Sequence, residues 1–321
     1  MKVSIIGAGN VGSTAAMKIA AEGFVNEVVL LDVKDGVAEG KAMDIMQSLM
    51  MGDSETIVTG TTGDYSKTAN SDVIVITSGV PRKPGMTREE LVGVNSKVMT
   101  MVLDGATKYS PDAIYMIVSN PMDTMTQMAV NYMYDNFGQP KNSGKVFGMG
   151  GILDSARFKY NILMAVKNKY NLTPDINNAF VIGGHGDTTM IPLVDYVTVN
   201  EYSLDHFFSE DEINEIVEKT MKGGATLTKM LGTSAWEAPA QGICEMTKMI
   251  AFDENNETVA SVYREGNGID LCIGSRVKIG KNGVSEVTDE HYIDSHYIDF
   301  DYIREKYNAS VEAIRNVNKA L

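Results

Sequence analysis

Short apolar runs alternate with stretches of helical spacing through the first half of the chain. Residues 3–6, 27–32, 56–60, 72–78, 113–118 and 145–148 are the runs, and residues 13–21, 43–51 and 95–109 carry the helical pattern between them. The runs at 72–78 and 113–118 are apolar almost without interruption, as expected of strands covered on both faces. Strands of this kind alternating with helices predict an α/β fold built on a doubly wound parallel sheet. Ligands on such a sheet sit at the carboxyl ends of its strands. The rhythm then changes. Residues 138–144 are polar and loop-like, and beyond them come a helix over 152–170, a strand over 178–183 and a capping box at Ser209-Glu210-Asp211-Glu212. Residues 276–280 and 283–287 flank an Asn282-Gly283 hairpin turn, and residues 300–321 read as a surface helix. The second half is α+β in pattern. The boundary is expected just after the sixth strand, dividing the chain into units 1–149 and 150–321.

The first strand runs into Gly7-Ala8-Gly9-Asn10-Val11-Gly12, a helix follows, and the second strand ends at Asp32, twenty residues past Gly12. A G-x-G-x-x-G match alone is weak. Inside a β–turn–α–β unit of about thirty residues that ends in an acid, it specifies a dinucleotide-binding, Rossmann-type unit. Gly7 permits the tight turn, Gly9 lets a pyrophosphate approach the backbone, and Gly12 lets the helix pack on the strand. The start of the helix that follows offers free N–H groups to the phosphates, and Asn10 and Val11 of the turn are counted with the cofactor-binding residues. Asp32 would accept from the ribose hydroxyls and repel a 2′-phosphate, which favours NAD over NADP.

Composition narrows the class. The chain has 321 residues, 44% of them hydrophobic and 22% charged, enough for a large core and about two domains. A net charge of -14 argues against nucleic acid or an anionic membrane as partner. No apolar run reaches the roughly 20 residues needed to span a bilayer. The N-terminus reads as a strand rather than a signal peptide. Cys244 and Cys272 lie in no ligand spacing, so they are expected to be reduced core thiols of a cytoplasmic protein.

Against that acidic background, residues 80–88 carry Arg82, Lys83 and Arg88 in a stretch broken by Pro81, Pro84 and Gly85. Hung between a strand and a helix, it suits either a lid that closes over an anion or a solvated loop. His185, one of four histidines, stands between glycines at a strand end. Asp154 and Arg157 are three apart and share a helix face. The carboxylate would orient the imidazole and raise its pKa, and the guanidinium would clamp a substrate carboxylate. The bland alternative is an exposed ion pair of little energetic weight.

Taken together, the Gly7 to Gly12 turn, 78–91, 118–123, 152–158, 183–188 and Gly223-Gly224-Ala225 resemble the lactate dehydrogenase-like family, and within it the malate dehydrogenases. The stretches occur in the family's order over nearly the whole chain. The resemblance implies that His185 is the proton donor and acceptor, with Asp154 as its partner. It implies that Arg157 binds the carboxylate beside the reacting carbon, that Arg88 polarises the carbonyl, and that Asn120 contacts substrate. Asn95, Val118, Ser119 and Asn120 would line the nicotinamide side, and Ser234 the pocket wall. Arg82 falls where malate-specific members carry arginine and lactate-specific members glutamine. The implied activity is NAD-dependent, reversible oxidation of malate to oxaloacetate by a homotetramer or homodimer. The alternatives are a lactate-type or broad 2-hydroxy-acid dehydrogenase and a non-catalytic NAD-binding sensor. A short-chain reductase would use a Tyr-x-x-x-Lys pair, but Tyr302 and Lys306 lie far downstream of the cofactor unit. Residues 288–299 look longer and more acidic than is usual in the family. Their His291 and His296 raise a metal site as the lesser reading and a solvent-facing insertion as the greater.

Overall fold

Side chains alternate across a strand, so a run that is apolar at every position must be covered on both sides. A computed structural model describes residues 1–81, 87–266, 268–289 and 301–321, with the main chain alone at Arg88. In order, the elements are β1 (Lys2–Ile6), α1 (Asn10–Glu22), β2 (Glu27–Asp32), α2 (Val37–Leu49), β3 (Ile57–Thr62), β4 (Val73–Ile76), α3 (Arg88–Thr107), β5 (Ile114–Ile117), α4 (Met122–Phe137) and β6 (Val146–Gly148). There follow α5 (Gly150–Tyr170), β7 (Ile176–Asn177), β8 (Val181–Gly183), β9 (Met190–Pro192), β10 (Thr198–Val199), β11 (Tyr202–Ser203), α6 (Glu210–Met221), α7 (Gly223–Leu231) and α8 (Glu237–Phe252). The chain closes with β12 (Asn256–Gly266), β13 (Ile269–Gly280), β14 (Gly283–Val287) and a final helix, α9 (Asp301–Asn318).

The main sheet has the order β3-β2-β1-β4-β5-β6-β12-β13-β8-β9, with β14 added to β13. Its first six strands are parallel, in the doubly wound arrangement expected from the apolar runs. In β4, Val73 and Val75 face α1, α2 and α8, while Ile74 and Ile76 face α3 and α4. Each aliphatic side chain removed from water in this way contributes about 1.5–3 kcal/mol. At β6 the sheet turns antiparallel, with Gly148 opposite Ser261 of β12. The second half therefore extends the same sheet, and a smaller sheet of β11, β10 and β7 lies apart from it.

The hairpin of β13 and β14 closes at Gly280 opposite Gly283, and Ser209 and Glu212 cap α6 reciprocally, as their sequence signals require. Two expectations need correction. The terminal helix is not merely superficial, since Ile303, Tyr307 and Ile314 are buried against the sheet's second half. Nor does the acidic stretch face solvent throughout. Asp289 is fully buried and holds Arg264 at 2.6 Å, while Glu290 and residues 291–299 lie outside the described residues.

Candidate active site

The glycine turn leaves β1 with Gly7 at φ +115°, where a side chain would strike the Ser78 backbone. At Gly12 a Cβ would meet the carbonyl of Gly7, so the helix lies directly on the turn. Gly9 differs from both, because a Cβ there would find nothing within 4 Å. Its lack of a side chain serves no contact among the described residues and leaves open space beside the first turn of α1. That helix has no side-chain cap, so its first N–H groups are available to an anion. Asp32, at the end of β2, is held by the N–H groups of Ala8 (2.7 Å) and Lys34 (2.9 Å). An open glycine, an uncapped helix start and a fixed carboxylate at a strand end together fit a dinucleotide.

Across the sheet, Asn95 of α3 is buried and spends its amide on the backbone. It accepts from Val80 N–H at 2.8 Å and donates to the carbonyls of Val80 and Asn120. Ser119 likewise donates to the Ser78 carbonyl. These bonds tie the loop after β4 to the loop after β5. The two loops form one wall of a cavity of about 680 Å³, along with Gly9, Asn10, Val11 and Gly12. Ser234 and Trp236 line it too, as do Ala313, Ile314 and Val317 of α9.

His185 reaches this cavity from the loop after β8. Its Nδ1 lies 2.6 Å from Asp154 Oδ2, and its Nε2 makes no hydrogen bond among the described residues. Asp154 stands behind the ring on α5, and its other oxygen accepts from Arg157 at 3.0 Å. Both side chains are largely buried, so this is not an exposed helix-surface pair. The Arg157 Nε is buried and makes no hydrogen bond among the described residues. Burial by itself would depress the imidazole pKa. The charge and hydrogen bond of Asp154, with the charge of Asp123, outweigh it and raise the pKa above the ordinary 6.5.

Several of the residues shaping the site gave no clear signal in the sequence. Asp123 on α4 accepts from the His185 N–H at 2.8 Å and from the Ser261 hydroxyl at 2.7 Å. Gly150 makes room for the imidazole, since a Cβ there would lie 2.7 Å from its Cγ. The run Gly148-Met149-Gly150-Gly151 hinted at such close packing. The spacing of Ile303, Tyr307 and Ile314 is the signal from which the buried face of α9 could have been read.

Residues 1–144 match the family model for the lactate/malate dehydrogenase NAD binding domain, and residues 152–299 match that for the lactate/malate dehydrogenase alpha/beta C-terminal domain. The malate dehydrogenase of Bacteroides thetaiotaomicron is 47% identical over all of this chain and 97% of its own length. The chain belongs to the lactate/malate dehydrogenase family. Among solved members, the malate dehydrogenase from Salinibacter ruber superposes with a TM-score of 0.86 at 35% identity, covering 100% of this chain and 97% of that one. The Cryptosporidium parvum lactate dehydrogenase, solved with lactic acid and NAD, gives 0.85 at 29% identity over 99% of this chain and 96% of its own. The family fold thus accommodates both kinds of enzyme, so the overall fold does not decide substrate choice. Arg82, the residue expected to make that choice, lies outside the described residues, as does the Arg88 side chain. The Arg88 backbone opens α3, inside the capping box that Thr87 and Glu90 form.

Proposed function

We propose that this member of the lactate/malate dehydrogenase family is an NAD-dependent malate dehydrogenase, interconverting (S)-malate and oxaloacetate. The observation that carries the reading is the His185–Asp154 pair at 2.6 Å, with the ring entering a cavity that begins at the glycine turn. When bound, NAD supplies the hydride acceptor or, reduced, the hydride donor. The residues from Gly7 to Gly12 would hold its pyrophosphate, Asp32 its ribose, and Val118, Ser119 and Asn120 the nicotinamide side. Asn95 would act there by bracing the two loops.

In the reducing direction, protonated His185 gives a proton from Nε2 to the substrate oxygen, so charge does not build up there. Asp154 fixes the tautomer and stabilises the imidazolium. Arg157 takes the carboxylate beside the reacting carbon. The Nε, unpartnered among the described residues, and the Asp154 contact support this, because a buried guanidinium already oriented on one side can fork onto a carboxylate. Arg88 would polarise the carbonyl, and Asn120 and Ser234 would complete the pocket. Residues 1–149 would then form the cofactor unit and 150–321 the substrate unit. The same reading makes the enzyme cytoplasmic and a homotetramer or homodimer. Exposed Met43, Met50 and Met51, on and just after α2, support self-association.

Arg82 is assigned the far carboxylate of the diacid. Pyruvate has no such group, and leaving a desolvated arginine unpaired costs about 3 kcal/mol or more, a ratio of about 10² in rate. NADH consumption with oxaloacetate and with pyruvate tests this on the purified protein, with NADPH as control. Oxaloacetate and NADH should be preferred, and Arg82→Gln should shift the kcat/KM ratio toward pyruvate. A wild-type preference for pyruvate would sink the malate assignment, and an unchanged ratio in the variant would sink the role of Arg82.

A further inference from the structure

A second buried carboxylate meets the histidine loop, and none of the reaction steps above gives it a role. Asp123 stands in the first turn of α4, is 7% exposed, and belongs to a different element from Asp154. Its Oδ2 accepts from the His185 main-chain N–H at 2.8 Å, and its Oδ1 accepts from the Ser261 hydroxyl of β12 at 2.7 Å. Burial raises the pKa of this carboxylate, and its two hydrogen-bond donors and the charge of His185 work against that rise in favour of the ionised form. Removing an acid from water is expensive, and a helix start does not need one in its interior. The arrangement instead joins three elements of the site: the start of α4 beside Asn120, the catalytic loop after β8, and β12, which pairs with β6.

We propose that Asp123 is a positioning residue for the proton site, holding the His185 loop by its main chain and adding a second negative charge beside the imidazole. The inference rests on the proton role proposed for His185. Groups acting on that imidazole are Asp154 and Arg157 from α5 and Asp123 from α4, while Asp187 lines the cavity two residues on in its own loop. Facing Asp123 are Ser261 from β12, Cys272 from β13 and Tyr307 from α9. Burial raises the pKa of Cys272 and of Tyr307, so neither adds a charge beside Asp123; the charges that act on it are the favourable one of His185 and the opposing one of Asp154.

Asp123→Asn separates charge from anchoring. Its remaining oxygen still accepts from the His185 N–H, and its amide can donate to the Ser261 hydroxyl. Asp123→Ala removes both. The measurement is kcat/KM for oxaloacetate reduction against pH, with NADH affinity and Tm recorded for each variant. Asp123→Asn should keep NADH affinity and move the limb where activity falls down by about 0.5–1 pH unit. Asp123→Ala should add a loss of kcat of about 10- to 100-fold as the loop shifts. Ser261→Ala, which removes a donor holding the carboxylate ionised, should move the limb the same way by less. It carries the test if the Asp123 variants fail to fold. Lower Tm with an unmoved limb in Asp123→Asn or, where that variant does not fold, in Ser261→Ala makes the residue merely structural and overturns the proposal. His185→Asn is the control for the underlying reading. If it loses turnover but keeps NADH binding, an unmoved limb counts against Asp123 alone. Retained turnover would overturn the proton role of His185 and this inference with it.

Discussion

At the scale of single residues, the site is a balance of opposed effects on one imidazole. Burial disfavours the charged ring, the Asp154 contact favours it, and the contact wins. The proton donor for reduction is therefore present at higher pH than for a free histidine. Because kcat/KM reports the free enzyme, oxaloacetate reduction should stay flat at low pH and decline only above 6.5, through the raised pKa. Malate oxidation needs the neutral ring and should rise through the same region. Asp154→Asn leaves burial unopposed by its main partner. The reduction limb should then fall below the ordinary histidine value, and turnover at pH 7 should drop by about 10²-fold or more. A limb that stays in place in that variant would mean that Asp154 does not control the proton. The sequence already contained this balance in outline, since three-residue spacing on a helix put Asp154 and Arg157 on one face. It did not reveal Asp123, because a main-chain acceptor leaves no spacing rule in the chain.

The helices and strands show the same division between what a local pattern encodes and what only tertiary contact creates. Residues 73–76 are legible because an all-apolar strand must be sandwiched. The capping box at Ser209 is legible because both partners are four residues apart or less. β12 is not, because its centre carries Ser261, a fully buried polar residue whose reason for being there is Asp123 on another element. Asn95 poses the same problem. It was expected among the residues facing the nicotinamide, yet its amide is committed to Val80 and Asn120, so its structural part is to lock α3 to two strand-end loops. Asn95→Ala removes the partner of three backbone groups in a partly buried place, at about 1–3 kcal/mol of stability. The KM values for both NADH and oxaloacetate should rise, because both loops line the cavity. The pH limb set by His185 should not move. Denaturant unfolding and steady-state kinetics check the two halves of this expectation, and a variant with wild-type KM values would show that the brace is dispensable.

Across the whole molecule, two sequence patterns share one sheet. β6 of the first half pairs with β12 of the second, and the cluster under β1 and β4 includes Ala240, Ile243 and Val277 from the other side of the boundary. Helix α1, which opens the cofactor turn, packs against α8. Two family models meet between residues 144 and 152, but the apolar core does not stop there. The cavity is shared in the same way, with Gly9 and Asn95 from the first half and His185, Ser234 and Ile314 from the second. A protein whose halves share core and cleft should unfold as one unit. Scanning calorimetry should give a single transition, and NADH should move that transition without splitting it. At a hundredfold excess over its Kd, the cofactor adds about 2.7 kcal/mol to the native state. Independent halves would behave differently, because only the half that carries the glycine turn would gain that stability. Two resolved transitions, of which NADH shifts only one, would show that the common sheet is a contact between domains rather than a single cooperative core.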